Sequence, residues 1–486
     1  MEKQWRHALR EGKNNNHISH RQLQQLLEAT INNKDWDTVE RFLTPNLRHS
    51  VNPVERQGSA IACAAVLAKA QNLQLAKKCL PLVNWKDANS QAWLLRARIH
   101  QSLGEYGAAK KQLLRIHKDP ETKSAATYRL GQISRACGEF NQAARWFLTS
   151  LECDPEPFHI HNELQFTNCD AKLLPRLIKF YEALILEQPE KAFPRQFLSH
   201  YLSKQGRLKR SILESKKAAR LELGAITNQL AGMDQPPTPP DFVVIGVPKG
   251  GTTSLLHWLS HAPGLWCHPR KELHFFDGRF ELGPDWYFSQ FPRFKKDSGI
   301  LRGEATPNYF SHPQAAERFS SLMPEAKAII LIRDPLQRAM SWVQHLIRLE
   351  GHEGSVSHWL EQELNQLEQL TPKEFALSPR VGTGALQDSC YDIHLRRWTS
   401  KVSPQQLLIL SSEELFNHPK QQLKSVMSFL KHPATEMPVH ALQPKNVNPE
   451  PRQELTGELQ QRLEAFLRPY CEETLAKVST KSALQD

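Results

Sequence analysis

The sequence predicts two architectures in one chain: an all-α helical array, then an α/β unit whose parallel sheet is covered by helices on both faces. Three observations carry this. Upstream, apolar residues recur at helical spacing within a longer repeat of 34 residues. Downstream, the β-rich runs FVVIGV, AKAIILI and QQLLILS are each followed by a loop and a helical pattern such as TTSLLHWLS or KQQLKSVMSFL, the alternation that builds parallel sheets. Between them lies MDQPPTPPDF, where four prolines in five residues cannot continue a helix and favour a stiff spacer. The expected domains are residues 1–232, a linker at 233–240, and residues 241–486.

In the first part, AWLLRARIHQSLGEYGAAKKQLLRIHKDP aligns with ATYRLGQISRACGEFNQAARWFLTSLECDP so that Gly104 falls on Gly138, Ala109 on Ala143 and Leu113 on Phe147. Pro189 lies one period beyond Pro155, and Gly206 two periods beyond Gly138. These residues resemble the tetratricopeptide repeat, in which small residues let antiparallel helices approach and stacked pairs bury a shared core. The match is good over roughly residues 90 to 155. A plain array of helical hairpins is the alternative, and in either case this half reads as a surface for a partner.

Charge separates the same two parts. Residues 1–240 hold 35 Lys+Arg against 23 Asp+Glu, while residues 241–486 hold 27 against 28, so the first half carries all of the net +11. A basic array suits an acidic partner such as a polyanionic glycan or an acidic carrier protein, or is a solvated helical surface; nucleic acid is not the expected partner. No apolar run approaches the ~20 residues that span a bilayer, and the start has no signal-peptide core, so a cytoplasmic location is expected. The eight cysteines are scattered with no CxxC pair, which indicates neither a zinc site nor a disulfide framework.

The chemistry centres on FVVIGVPKGGTTSLLHWL, residues 242 to 259. A strand leads into a turn at Gly250 and Gly251, where successive N–H groups can point inward beside the positive end of a new helix, with Lys249 at the entrance and Thr252, Thr253 and Ser254 in the first turn. That is an anion site suited to a phosphate-like group. It is not the nucleotide triphosphatase loop GxxxxGK[ST], which carries its lysine after the last glycine; here the lysine comes first.

PKGGTTSL resembles the loop with which sulfotransferases hold the 5′-phosphosulfate of 3′-phosphoadenosine-5′-phosphosulfate (PAPS). KELHFFD at Lys271 to Asp277, GEATPNYF at Gly303 to Phe310 and IRDPLQRAMS at Ile332 to Ser341 are similar to the family's further blocks, in the expected order. The resemblance, to the heparan-sulfate and bacterial types, covers about residues 242 to 470 and implies a P-loop-like α/β fold. It implies PAPS as co-substrate, no metal, and Lys249, Gly250, Gly251, Thr252, Thr253 and Ser254 as the phosphosulfate cradle. Arg333 and Ser341 are implied to hold the 3′-phosphate. Arg333 follows an apolar strand, and Pro335 suits a helix start that places Ser341 about two turns in.

The acceptor is a hydroxyl, expected on a carbohydrate; a tyrosyl-protein or small-molecule acceptor, or a repeat scaffold with an inactive nucleotide-binding domain, are the alternatives. Ala305 stands where glycosaminoglycan 3-O-sulfotransferases carry a lysine, and their C-terminal nucleotide contact corresponds at best to Lys445 and Asn446. Residues 350 to 392 are expected to form the lip of the acceptor cleft. Read as a strand, KELHFF would put Glu272 and His274 on one face, pointing into the cleft together. Either group can take the acceptor's proton. The resemblance favours Glu272 as the base and His274 as its orienting partner, with Lys249 completing the catalytic set.

Overall fold

The apolar β-branched run at residues 242–246 forms the middle strand of a five-stranded parallel sheet, as its burial on both faces requires. The computed structural model describes residues 2–14, 20–33, 35–48, 53–224, 238–295, 298–350, 354–370, 383–433, 442–444 and 455–483. These form two compact units, Met1–Cys169 and Asp170–Asp486.

Every regular element described in the first unit is helical, from Glu2–Asn14 to Phe158–Phe166. The 34-residue repeat corresponds to two helical hairpins, Ser90–Ser102 with Tyr106–Ile116 and Lys123–Ala136 with Phe140–Cys153. The aligned apolar positions Ala109, Ala143, Leu113 and Phe147 are all fully buried. The aligned glycines act differently from the expectation that small residues admit a close helix. Gly104 and Gly138 lie in the hairpin turns at φ of 74° and 73°, with open space where a Cβ would stand, so the requirement is for left-handed backbone. Close approach occurs instead at Gly131, where a Cβ would meet the Phe147 ring at 2.6 Å.

In the second unit the strands are β1 (Phe242–Gly246), β2 (Leu265–Cys267), β3 (Leu301–Ala305), β4 (Lys327–Ile332) and β5 (Leu407–Ser411). Their order is β2-β3-β1-β4-β5, all neighbours parallel, with β1 in register against Gly303–Ala305 on one side and against Lys327–Ile330 on the other. Alternate residues of β1 feed two cores. Val243 and Ile245 join Phe275, Trp286 and Tyr309, while Phe242 and Val244 join Leu255, Leu259 and Val426. The sheet is thus covered on both faces, and the carboxyl ends of its strands open on the loops that carry the candidate chemistry.

The division between units falls at Cys169/Asp170, upstream of the proline seam. Residues 233–237 of the predicted linker lie outside the described residues. Helices Leu174–Glu187, Phe193–Lys204 and Leu208–Gly224 belong to the unit that holds the sheet. The reason is polar as well as apolar: Trp286 Nε1 donates to Ser211 Oγ at 3.0 Å, Gln290 Nε2 to Ser215 Oγ at 2.7 Å, and Leu208 and Ile212 pack on the first sheet core. Composition, which changes at the prolines, does not report these contacts. Among the described residues, no helix is long and apolar enough to cross a membrane.

Candidate active site

β1 ends in a turn that leads into the helix Thr252–Leu259, with Gly251 as its N-terminal cap at φ 93°. Both glycines are sterically required. A Cβ on Gly250 would stand 2.7 Å from the Leu331 carbonyl oxygen, and one on Gly251 would stand 2.9 Å from the Phe416 ring, in a backbone conformation that side chains disfavour. Thr252 and Ser254 are buried at the helix start, and Thr253 is half-buried.

Lys249 is half-buried in the turn. Burial, reinforced by the positive charges of Arg348, Lys271 and Arg333, pushes its ammonium down to about 8, with Glu272 pulling the other way. Arg333, at the carboxyl end of β4, donates from Nη1 to the Lys249 carbonyl at 3.1 Å, and its own carbonyl accepts from Tyr391 Oη at 3.0 Å. Ser341 stands half-buried on the helix Pro335–Glu350, about two turns in as expected.

Residues 271–274 are not a strand, contrary to the expectation from KELHFF. Glu272 and His274 have left-handed backbone, φ 62° and 54°, and Phe275–Gly278 forms a short helical turn. Hydrogen bonds impose this path: the Glu272 amide donates to the Ala305 carbonyl at 3.1 Å and the Phe275 amide to Tyr309 Oη at 2.8 Å. The two side chains still meet, with His274 Nε2 3.4 Å from Glu272 Oε2. They do so through a backbone reversal rather than the pleat of an extended chain.

The cluster around them is densely ionic. Lys271 Nζ lies 2.9 Å from Glu272 Oε1 and donates to Thr253 Oγ1 at 2.6 Å, tying this segment to the glycine turn. His274 Nδ1 lies 2.8 Å from Asp277 Oδ2. Burial alone would raise the Glu272 carboxyl, but Lys271 and His274 override it and hold the group well below the usual carboxylate range. Burial alone would lower His274, yet Asp277 and Glu272 lift it to about 9, so at neutral pH an imidazolium sits between two carboxylates. Five non-glycine residues among those described have positive φ: Gln71, Lys249, Glu272, His274 and Lys431. Three of them are the residues expected to be catalytic, and such strain collects at functional sites.

Four contributors escaped the sequence reading. Lys271 and Asp277 were visible within KELHFFD, but their spacing did not reveal that one bridges to Thr253 and the other clamps His274. Arg348 adds positive charge near Lys249 from the helix Pro335–Glu350. Arg338, fully buried, donates from Nε to the Pro248 carbonyl at 3.1 Å and from Nη1 to the Ala385 carbonyl at 2.8 Å, so it props the turn from behind. Glu304, a residue of β3, is buried. It accepts from Thr306 Oγ1 at 2.8 Å and Tyr287 Oη at 3.1 Å, and burial lifts it to about 7. Ala305 packs in the second sheet core, so that position faces apolar neighbours. Lys445, Asn446 and residues 351–353 and 371–382 of the expected cleft lip lie outside the described residues.

Residues 239–451 match the family described as Sulfotransferase domain. Bifunctional heparan sulfate N-deacetylase/N-sulfotransferase 1 of Caenorhabditis elegans is 32% identical over 200 residues, 40% of this chain and 22% of that protein. Heparan sulfate glucosamine 3-O-sulfotransferase 3B1 of Homo sapiens is 32% identical over 194 residues, 39% of this chain and 46% of that protein. The chain thus spans less than half the length of these relatives. Among solved structures, a sulfotransferase from Alicyclobacillus acidocaldarius is similar at 24% identity and a TM-score of 0.40, over 50% of this chain and 96% of that one.

Proposed function

We propose that residues 241–486 transfer a sulfuryl group from PAPS to an acceptor hydroxyl on a carbohydrate. The observation that carries this reading is a cationic cradle and a carboxylate on two adjoining loops: Lys249, Lys271 and Arg333 lie in and around the Gly250–Gly251 turn at a helix N-terminus, with Glu272 beside them. The donor suits the residues present. Gly250 and Gly251 let the backbone curl tightly against Leu331 and Phe416 at the helix N-terminus, Thr252, Thr253 and Ser254 stand at the helix start, and Arg333 with Ser341 is assigned to the 3′-phosphate. When bound, the donor supplies an activated sulfuryl group on a phosphate leaving group.

The chain's own residues account for the rest. Lys249 offsets negative charge that grows on the leaving oxygen. Glu272 accepts the acceptor's proton, and Lys271 and the Asp277-held His274 fix its orientation. A carboxylate this acidic is a weak base while its cations are unmatched. Anionic charge in the cradle weakens the pull of Lys249 and Lys271 and raises the basicity of Glu272 where the acceptor needs it. The carbohydrate acceptor is supported by the heparan sulfate sulfotransferases among the relatives.

The test is to incubate the full chain with 35S-labelled PAPS and a mixture of extracted glycans, protein tyrosines and simple phenols. Label in the glycan fraction supports the reading; label confined to tyrosine or phenol replaces the acceptor class. No transfer, together with binding of ATP that ignores a 3′-phosphate, overturns the donor.

A further inference from the structure

The helical unit contains an open cavity of about 590 Å3 between the start of the helix Ser90–Ser102 and the end of the helix Tyr106–Ile116. Its size is that of a small-ligand site, about 300–1,000 Å3. Its lining includes Trp85, Lys86, Ser90, Trp93, Arg115 and Asp119. The two indoles meet at 4.9 Å between ring centroids. The Arg96 guanidinium carbon stands over both rings, 4.4 Å from the Trp85 centroid and 5.3 Å from that of Trp93, and that of Arg115 stands 5.0 Å from Trp93.

Among the described residues these arginines stand against aromatic faces and make no ion pair with a carboxylate. Arg96 Nε is shielded from water without a hydrogen-bond partner among the described residues. Burial and the neighbouring charge of Arg115 hold Arg96 below its usual range. The acid in the lining is engaged locally: Asp119 accepts from Ser90 Oγ at 2.6 Å and from the Glu121 amide at 2.9 Å. Residues 69–118 as a whole hold ten Lys+Arg against two Asp+Glu. A guanidinium stacked on an indole keeps its N–H edge available and pre-oriented, the geometry that carboxylate and sulfate groups accept in pairs.

We propose that this cavity binds an acidic sugar unit, carrying a carboxylate or a sulfate, of a polyanionic glycan. The inference rests on the carbohydrate-acceptor reading of the sheet unit and deepens it: the same polymer that offers the hydroxyl is retained at a second site, which raises its effective concentration. Arg115 and Lys86 supply the charge at the lining, Arg96 backs the two indoles from outside it, and the indole edges bound the sugar ring.

The test is calorimetric titration of the full chain, without donor, with a sulfated, uronate-containing hexasaccharide at low salt. Arg115→Glu, at an exposed position, is expected to weaken binding at least tenfold with an unchanged thermal unfolding curve. Lys69→Glu, an equal charge change at an exposed residue outside the cavity, is expected to alter it less than twofold. Arg96→Gln is expected to weaken binding as Arg115→Glu does. Equal losses for Lys69→Glu and Arg115→Glu would mean diffuse electrostatics and overturn the site, as would a poly-glutamate peptide binding more tightly than the sugar. Hexasaccharide binding that obeys this pattern in a chain that sulfates no glycan keeps the site and removes the acceptor reading. Glycan sulfation without such binding does the reverse.

Discussion

The loop after β1 and the loop after β2 reach the same chemistry by opposite means. Residues 247–251 owe their shape largely to missing side chains: Gly250 and Gly251 sit where a Cβ would collide with the Leu331 carbonyl and the Phe416 ring. Residues 271–277 owe theirs to side chains. Lys271, Glu272, His274 and Asp277 form an alternating ionic chain, and Glu272 and His274 hold left-handed backbone without being glycine. On the proposed reading one loop receives a charge, while the other keeps its own charges in place. Lys271, bonded to Thr253 at one end and Glu272 at the other, joins them.

The largest effect that would separate the two loops is expected from Lys249→Ala. Loss of a preorganised positive group at the leaving oxygen should cut turnover by about 100- to 1,000-fold. Affinity for the desulfated nucleotide should fall much less, because Arg333 and the turn's N–H groups remain. Stopped turnover with a parallel loss of nucleotide affinity would make Lys249 a binding residue and erase the division of labour. Arg333→Ala is the counterpart, expected to weaken donor and product nucleotide alike in a direct titration.

In the second loop, Glu272→Gln should lower turnover by a factor of about 100 or more with nucleotide affinity intact, the usual range for loss of a general base. His274→Ala should cost less, since Lys271 still holds Glu272. If His274→Ala is the inactive variant and Glu272→Gln is not, the proton goes to the imidazole and the roles are exchanged.

How much of this was legible depends on whether a feature is local. The glycine turn is local: a β-branched run, then Lys-Gly-Gly and three hydroxyl residues, and the structure places them as strand, turn and helix start. The sheet was legible for the same reason, since FVVIGV, AKAIILI and QQLLILS each contain a strand. KELHFF misled because its alternation of polar and apolar residues satisfies a strand pattern, while its actual path is imposed by the Ala305 carbonyl and Tyr309 hydroxyl, more than thirty residues away. The attachment of helices 174–224 to the sheet unit was hidden likewise, because Ser211 and Ser215 look like ordinary helix-surface residues until Trp286 and Gln290 are found against them.

The joint between the loops can be broken alone. Lys271→Met removes the ammonium that does most to hold the Glu272 carboxyl low. The carboxyl should then titrate at higher pH. A base with a raised pKa is lost earlier as pH falls, so the acid limb of the turnover profile should move upward relative to wild type. Turnover on the plateau should fall by roughly tenfold, since both loops lose an anchor. An acid limb that does not move would show that Glu272 is held by His274 alone, or that it is not the base.

The smallest effect tests the receiving loop through its protons. With its ammonium pushed down to about 8, Lys249 is mostly neutral at pH 8.5 in the free protein. An anion bound beside it favours the charged form and raises the group by about one unit, a roughly tenfold contribution to nucleotide affinity and far smaller than the loss of turnover expected for Lys249→Ala. Nucleotide binding at pH 8.5 should therefore take up about half a proton, and at pH 6.5, where Lys249 is already charged, almost none. The measurement is calorimetric titration with the desulfated nucleotide in buffers of different ionisation enthalpy, whose slope gives the protons exchanged. Lys249→Met should abolish the uptake at pH 8.5 and leave the pH 6.5 value unchanged. Equal uptake in the wild type and in Lys249→Met would place the proton on another group of the cradle, and the loop built to receive charge would no longer be distinguished by its lysine.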